Sequence, residues 1–383
     1  MSKDTPFVSA CRNFGRLAAL LSALAVAACL ATASFGGLQS LPAELPDEAF
    51  WKLVVDMSEP DGLFQFENFL SNELGYQYVI PRLLQETQPG GAYLGVAPEQ
   101  NFTYIVTVKP KIAFIIDIRR QNMLELLMYK ALFEMSETRA DFLSRLFARK
   151  RPGGLSENST VDELFDAYSK VPFDMDLYKQ NLQEMKDVLV NAHQFELRPS
   201  DLKGYSSIEY VYRVFVDAGP DLDYSTGGTG AGGNNPTYAD LMEIDDGEGQ
   251  QRSYLATEEN YRFVRDMQKK NLIVPLVGDF GGPKTIRAIG QYLKDHGATV
   301  RAFYVSNVER YLFSDYKAAE FYSNVGTLPL DSSSTFIRSF SGGGFGGGGP
   351  FRFVSMLSSM RALMEEFAAG RVRQYGDVLD LSR

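Results

Sequence analysis

Two unbroken apolar runs constrain this chain more than any other feature: Ile112-Ala113-Phe114-Ile115-Ile116 and Leu272-Ile273-Val274-Pro275-Leu276-Val277. A strand with one wet face alternates apolar and polar residues. A run that does not alternate needs cover on both faces, which helices on either side of a parallel sheet provide. Helical spacing follows each run where that arrangement requires it. Leu124, Leu127, Met128, Ala131 and Leu132 form one stripe within Asn122 to Phe147, and Ile286, Ile289 and Leu293 form another within Pro283 to His296. Ala92 to Val96 and Thr299 to Val305 read as further strands, so strand, turn, helix and strand recur within about 35 residues as a βαβ unit. The predicted fold is α/β, a doubly wound, mostly parallel Rossmann-like sheet. Pro275 lacks the N–H a ladder needs, which predicts a bulged or peripheral strand.

Punctuation sets the organisation around that sheet. The domain is expected over 45–335, with a helical insertion at about 151–225 opened by the RPGGLSENST break and closed by a glycine-rich loop at 227–233. Residues 336–350 read as a glycine-rich linker. Phe353, Met356, Leu357, Met360, Met364 and Phe367 then repeat at helical spacing, predicting a C-terminal helix over 351–383 that docks on the core.

The N-terminal 1–35 have a different character. Lys3, Arg12 and Arg16 precede the Ala/Leu-rich stretch Leu17 to Leu30, the layout of a signal peptide, a lipoprotein signal or a membrane anchor. Ala31-Thr32-Ala33 is an A-x-A cleavage site, and Val26-Ala27-Ala28-Cys29 resembles a lipobox that would lipidate Cys29. Basic residues before the stretch and Glu44, Asp47 and Glu48 after it predict a domain in the cell envelope, exported or membrane-anchored. A misassigned N-terminus would instead leave it cytoplasmic.

Composition narrows the chemistry. Cys11 and Cys29 are the only cysteines, and His193 and His296 the only histidines. Past residue 30 there can be no disulfide, cysteine nucleophile or Cys-ligated zinc, and two distant histidines suggest no metal site. His296 stands before Gly297, where an imidazole supports the last carbonyls of a helix. With a net charge of −10 and no basic stripe, nucleic acid is not expected as a partner; a small-molecule ligand is.

The candidate site pairs the turn after the first strand with the acid that ends the second. In doubly wound sheets ligands lie outside the carboxyl ends of the strands, where a small-residue turn admits them and an acid receives ribose hydroxyls. Gly95-Val96-Ala97-Pro98-Glu99 supplies the turn, and Asp117 follows Gly95 at about the expected twenty residues. Pro98 removes an amide that a pyrophosphate would use, which points to a ligand without phosphates, such as S-adenosylmethionine. Glu99 and Asn101 either cap the next helix or reach a ligand amine. Arg119 and Arg120 adjoin Asp117, Asp279 follows the later strand with Lys284 one turn on as its partner, and Asn307 and Glu309 would open onto the same crevice.

The segments YLGVAPEQNFTYI, IAFIIDIRR with MYKALFE, SYLATEENYRF, VPLVGDFGGPK and AFYVSNVE resemble a family of uncharacterised bacterial proteins. Their fold is similar to class I S-adenosylmethionine-dependent methyltransferases, and the resemblance covers about residues 45–383. It implies Gly95 and Glu99 in the first methyltransferase motif, Asp117 at the ribose position and Asp279 at the fourth motif. Together with the residues read above, this makes S-adenosylmethionine the expected cofactor for Gly95, Ala97, Glu99, Asn101, Asp117, Arg119 and Asp279, with Asp279 or Glu309 as orienter or base. Ala97 stands where that motif usually has glycine, and Asp279 lacks the Pro-Pro that follows it in amino-methylating enzymes. The competing expectation is an envelope-tethered, non-catalytic binding or scaffold domain, because that cofactor is expected in the cytoplasm.

Overall fold

A computed structural model describes residues 40–224, 235–341 and 353–382. The expected signal or anchor segment at 1–35, the glycine loop at 227–233 and most of the glycine-rich linker lie outside the described residues. Among those described, no helix is long and apolar enough to cross a membrane.

Six strands form one sheet: β1 (Ala92–Val96), β2 (Ile112–Asp117), β3 (Ile273–Val277), β4 (Val300–Ser306), β5 (Thr335–Phe340) and β6 (Val354–Ser359). Their order is β3-β2-β1-β4-β5-β6, parallel throughout except that β6 runs antiparallel to β5. The chain is therefore α/β with a mostly parallel sheet. Every residue of β1, β2 and β3 is buried, as unalternating runs require. Phe303 and Tyr304 are neighbours on β4 and so point to opposite faces. Phe303 meets Phe280 and Phe321, while Tyr304 meets Tyr104 of the helix Gln100–Val108, so cover is present on both sides. Pro275 lies opposite Ile115 on β3, which pairs only with β2; its missing N–H therefore faces no neighbouring strand.

The helical insertion carries Val161–Ser169, Met175–Lys186, Pro199–Leu202 and Ile208–Ala218. The C-terminal region corrects the reading of its sequence. Residues 336–340 belong to β5 rather than to a linker, and Val354–Ser359 is a strand; helix begins only at Met360 and runs to Ala368. Met356 and Leu357 fit a helical stripe, but β5 has an open edge whose backbone groups β6 pairs, from Thr335 opposite Ser359 to Phe340 opposite Val354. Non-local pairing of this kind leaves no trace in spacing. Leu41–Arg383 form one compact unit, so the domain does not end at residue 335.

Strand order reverses between β1 and β4, and that is where a crevice opens at the carboxyl ends of the strands. Residues 58–73 form a strap across it. The Glu59 N–H bonds the Val277 carbonyl at 2.8 Å, and the Gly62 N–H bonds that of Ile118 at 2.8 Å, stitching the strap to the ends of β3 and β2.

Candidate functional site

The crevice has a volume of about 360 Å³ and is walled by Ala97 after β1, Asp117 ending β2, Asp279 after β3, Asn307 after β4, and Phe64 of the strap. Four turns distant in sequence thus converge on one cavity. Two residues beside the reversal, Ala97 (φ 62°) and Ser306 (φ 49°), hold left-handed backbone conformations that favour glycine. Strained turns of this kind concentrate where a ligand must approach backbone closely. Ala97 therefore holds the glycine-like geometry that its position in the turn demands.

Asp117 is buried. Its Oδ1 accepts the Arg119 N–H at 2.9 Å and its Oδ2 accepts Asn122 Nδ2 at 2.7 Å. Burial pushes its pKa above the ordinary aspartate value, against the opposing pull of the Arg119 charge and the two hydrogen bonds. Each oxygen keeps a second lone pair for a ligand. Asn122, which orients Asp117, carried no signal in the sequence beyond a place in a helix.

Asp279 accepts Lys317 Nζ at 2.7 Å and the Gly281 N–H at 2.9 Å. Lys284, its expected partner, instead donates to the Ser58 carbonyl at 2.8 Å. The turn after β3 folds Lys284 toward the strap, while Lys317 reaches Asp279 from the segment after β4. Asp279 also follows an edge strand; the strand beside β1 on the far side from β2 is β4, so Ser306 and Asn307, not Asp279, end the strand next to the reversal.

Three further candidates are committed elsewhere. A Cβ on Gly95 would lie 1.8 Å from Asn101 Oδ1, so Gly95 makes room for Asn101 rather than for a ligand. Asn101 is fully buried and fastens the turn, donating to the Val96, Ala97 and Pro98 carbonyls at 2.7–2.9 Å while its Oδ1 accepts the Tyr93 hydroxyl at 2.8 Å. Glu309 is absent from the crevice. It is 1% exposed and ion-paired with Arg338, itself 0% exposed, and accepts the Tyr322 hydroxyl at 2.8 Å. One helical turn beyond β4 places its side chain in the core instead of over the strand ends.

Glu99 is fully buried. Its Oε1 accepts the Ser71 N–H of the strap at 3.2 Å, and Oε2 has no hydrogen-bond partner among the described residues. Burial pushes its pKa up to about 8, so it carries a proton at neutral pH. Arg119 lies behind the strap in a neighbouring cavity of about 330 Å³, donating to Gln121 and Asn122. Among the described residues no cluster of three or more His, Cys, Asp or Glu could hold a metal ion.

The strap also covers two helix N-termini beside the crevice. Glu59 places its carboxylate on the N-terminus of the helix Thr285–Asp295, accepting the Lys284 and Thr285 N–H groups at 2.8 and 3.0 Å and that of Asp279 at 3.2 Å. Asp61 does the same for the helix Arg120–Glu134, accepting the Arg120 N–H at 2.7 Å. Helix N-termini are natural phosphate sites, and here the chain's own carboxylates fill two of them. Of the charged residues on the walls, Asp117, Asp279 and Asp315 are acids, and Lys317 is paired with Asp279. A phosphate would meet repulsion here, whereas a neutral or cationic ligand would not.

A family model described as "Domain of unknown function (DUF7790)" matches residues 68–170 and 235–360. The matched segments include all six strands and pass over much of the helical insertion. No curated protein matches the chain.

Proposed function

The chain belongs to the DUF7790 family, and we propose that it is a Rossmann-like, methyltransferase-like protein whose crevice binds a phosphate-free adenosine ligand, S-adenosylmethionine. The observation that carries this reading is the blocking of two helix N-termini by Glu59 and Asp61 beside an acid-walled crevice. The strand order supports it, since a sheet of order 3-2-1-4-5-6 binds nucleosides where that order reverses. Asp117 would take the ribose hydroxyls, Ile118 and Phe280 the adenine faces, and the Val96-Ala97 turn the backbone contacts. When bound, this ligand supplies a methyl group on a sulfonium. The protein's own part is to orient the ligand through Asp117, held by Asn122, and to exclude water with the Phe64 strap.

Calorimetry of the full chain with S-adenosylmethionine and with its demethylated product tests the reading. Saturable binding is expected, abolished by Asp117→Ala. No binding at millimolar ligand overturns it.

A second reading, an envelope-tethered binding or scaffold domain without catalysis, rests on Lys3, Arg12 and Arg16 ahead of the apolar Leu17–Leu30 stretch. Fractionation of a C-terminally tagged full chain with protease protection decides it; a cytoplasmic domain overturns the envelope role.

A further inference from the structure

A second cavity of about 240 Å³ lies on the β4 side of the reversal, sharing Phe64, Asn68, Ala97, Ser306, Asn307 and Tyr311 with the crevice. At its floor is Glu73, 3% exposed, whose carboxylate accepts the Tyr304 hydroxyl at 2.9 Å and the Ser306 hydroxyl. Burial pushes the Glu73 pKa up, against the hydroxyls of Ser306 and Tyr304 that hold its charged form. The Tyr304 hydroxyl gives its one proton to Glu73 and accepts from Gln100 Nε2, 3.0 Å away. That fixes the Gln100 amide and leaves its Oε1 as an acceptor. Gln100 is 2% exposed, and its Oε1 has no partner among the described residues; the same holds for the buried Oδ1 of Asn68.

The three residues that carry these acceptors, Glu73, Gln100 and Asn68, thus line one cavity. An acceptor buried without a partner is destabilising, a cost that a donor-bearing ligand would remove. The remaining walls mix polar groups with aromatic rings, among which Phe64 meets Tyr311 edge-on at 5.3 Å and Phe66 at 5.8 Å. Arg310, the one basic residue on the lining among the described residues, is exposed.

We propose that this cavity binds a small aromatic ligand carrying an amino or ammonium group, its ring against Phe64, Phe66 and Tyr311 and its N–H groups on Glu73, Gln100 Oε1 and Asn68 Oδ1. The ring gains from burial and edge contacts, and the amine from a charge-assisted hydrogen bond. The inference concerns a cavity other than the adenosine crevice and does not require that crevice to be filled.

Calorimetry of the full chain with benzylamine, benzyl alcohol and benzoate as probes tests it. Benzylamine is expected to bind at least about tenfold more tightly than benzyl alcohol, with benzoate excluded. Glu73→Gln, which keeps the side chain's shape, should remove that tenfold preference, and Phe66→Leu, on a part-exposed wall, should weaken benzylamine severalfold while leaving the unfolding midpoint in place. Equal binding of amine and alcohol, absence of benzylamine binding, or unchanged affinity in Phe66→Leu overturns the proposal. Titrating the demethylated product of S-adenosylmethionine in parallel reads the crevice, whose lining lacks Glu73, Phe66 and Gln100. Loss of amine binding with that binding kept overturns this proposal only, and the converse overturns the crevice reading only.

Discussion

Asn122 holds Asp117 by a 2.7 Å hydrogen bond from Nδ2 to Oδ2, and its own Oδ1 accepts the Arg119 guanidinium at 2.7 Å. The amide therefore stands between an acid and a base that approach each other only to 4.0 Å. Asn122→Asp replaces the donor by a second carboxylate. Repulsion should release Asp117 from its orientation and weaken binding of S-adenosylmethionine by about tenfold or more, while Asn122→Ala costs about 1–2 kcal/mol of stability. Calorimetry and urea unfolding measure the two effects.

The strap's carboxylates predict a change of ligand class. Glu59→Ala uncovers the N–H groups of Lys284 and Thr285, so inorganic phosphate, excluded from the wild type, should stabilise the variant in thermal unfolding. The substitution itself should cost about 1 kcal/mol through the lost cap. A variant no more responsive to phosphate than the wild type would show that Glu59 does not set the exclusion.

Gly95 is fixed by its neighbour. A methyl group there collides with Asn101 Oδ1 and with Tyr93, and both brace the turn after β1. Gly95→Ala should destabilise by about 1–3 kcal/mol in urea unfolding, with a further loss if Asn101 is unseated from its three carbonyls. Reversal of part of that loss by adding Asn101→Ala would identify the clash as the cause.

Arg338 and Glu309 are both fully buried, and Arg338 also donates to Ser358 of β6. Removing one charge strands the other. Glu309→Gln or Arg338→Met should each cost about 3–5 kcal/mol, and the double substitution less than their sum. A double-mutant cycle by chemical unfolding gives the coupling; a strictly additive result would contradict the pairing.

His193 bridges Asp47 at 2.8 Å and Glu134 at 2.7 Å, tying the insertion to the first helix and to the helix after β2. Burial and the nearby Lys130 oppose its charge, but Glu134 and Asp47 outweigh them and raise its pKa. A raised folded-state value means that the proton binds more tightly in the folded chain. The stabilisation is complete below the unfolded value of about 6.5 and is lost as pH rises through the folded value. Stability should therefore fall as pH rises above about 6.5, and His193→Gln should flatten that part of the wild-type profile in denaturant titrations. The other histidine is local: His296 Nδ1 donates to the Tyr292 carbonyl at 2.7 Å, supporting the last turn of its helix as the sequence predicts.

The sequence by itself determined the strands β1 to β4, and in β1 to β3 burial on both faces demands unalternating residues that are visible as runs. It also limited the strand of Pro275 to a bulged or peripheral one and brought Ala97, Asp117, Asp279 and Asn307 to one end of the sheet, since residues that end parallel strands share an edge whatever the strand order. Tertiary structure alone decided the rest. Strand order put β4 beside β1 and β3 at the edge, which moved Asp279 away from the reversal; helical phase turned Glu309 inward to Arg338; and β6 exists because β5 offered an open edge. Glu59, Asp61 and Glu73 became site residues only when the strap crossed the strand ends. Spacing along a chain reports which face a residue takes within its own element, but pairings between distant segments depend on how the elements pack.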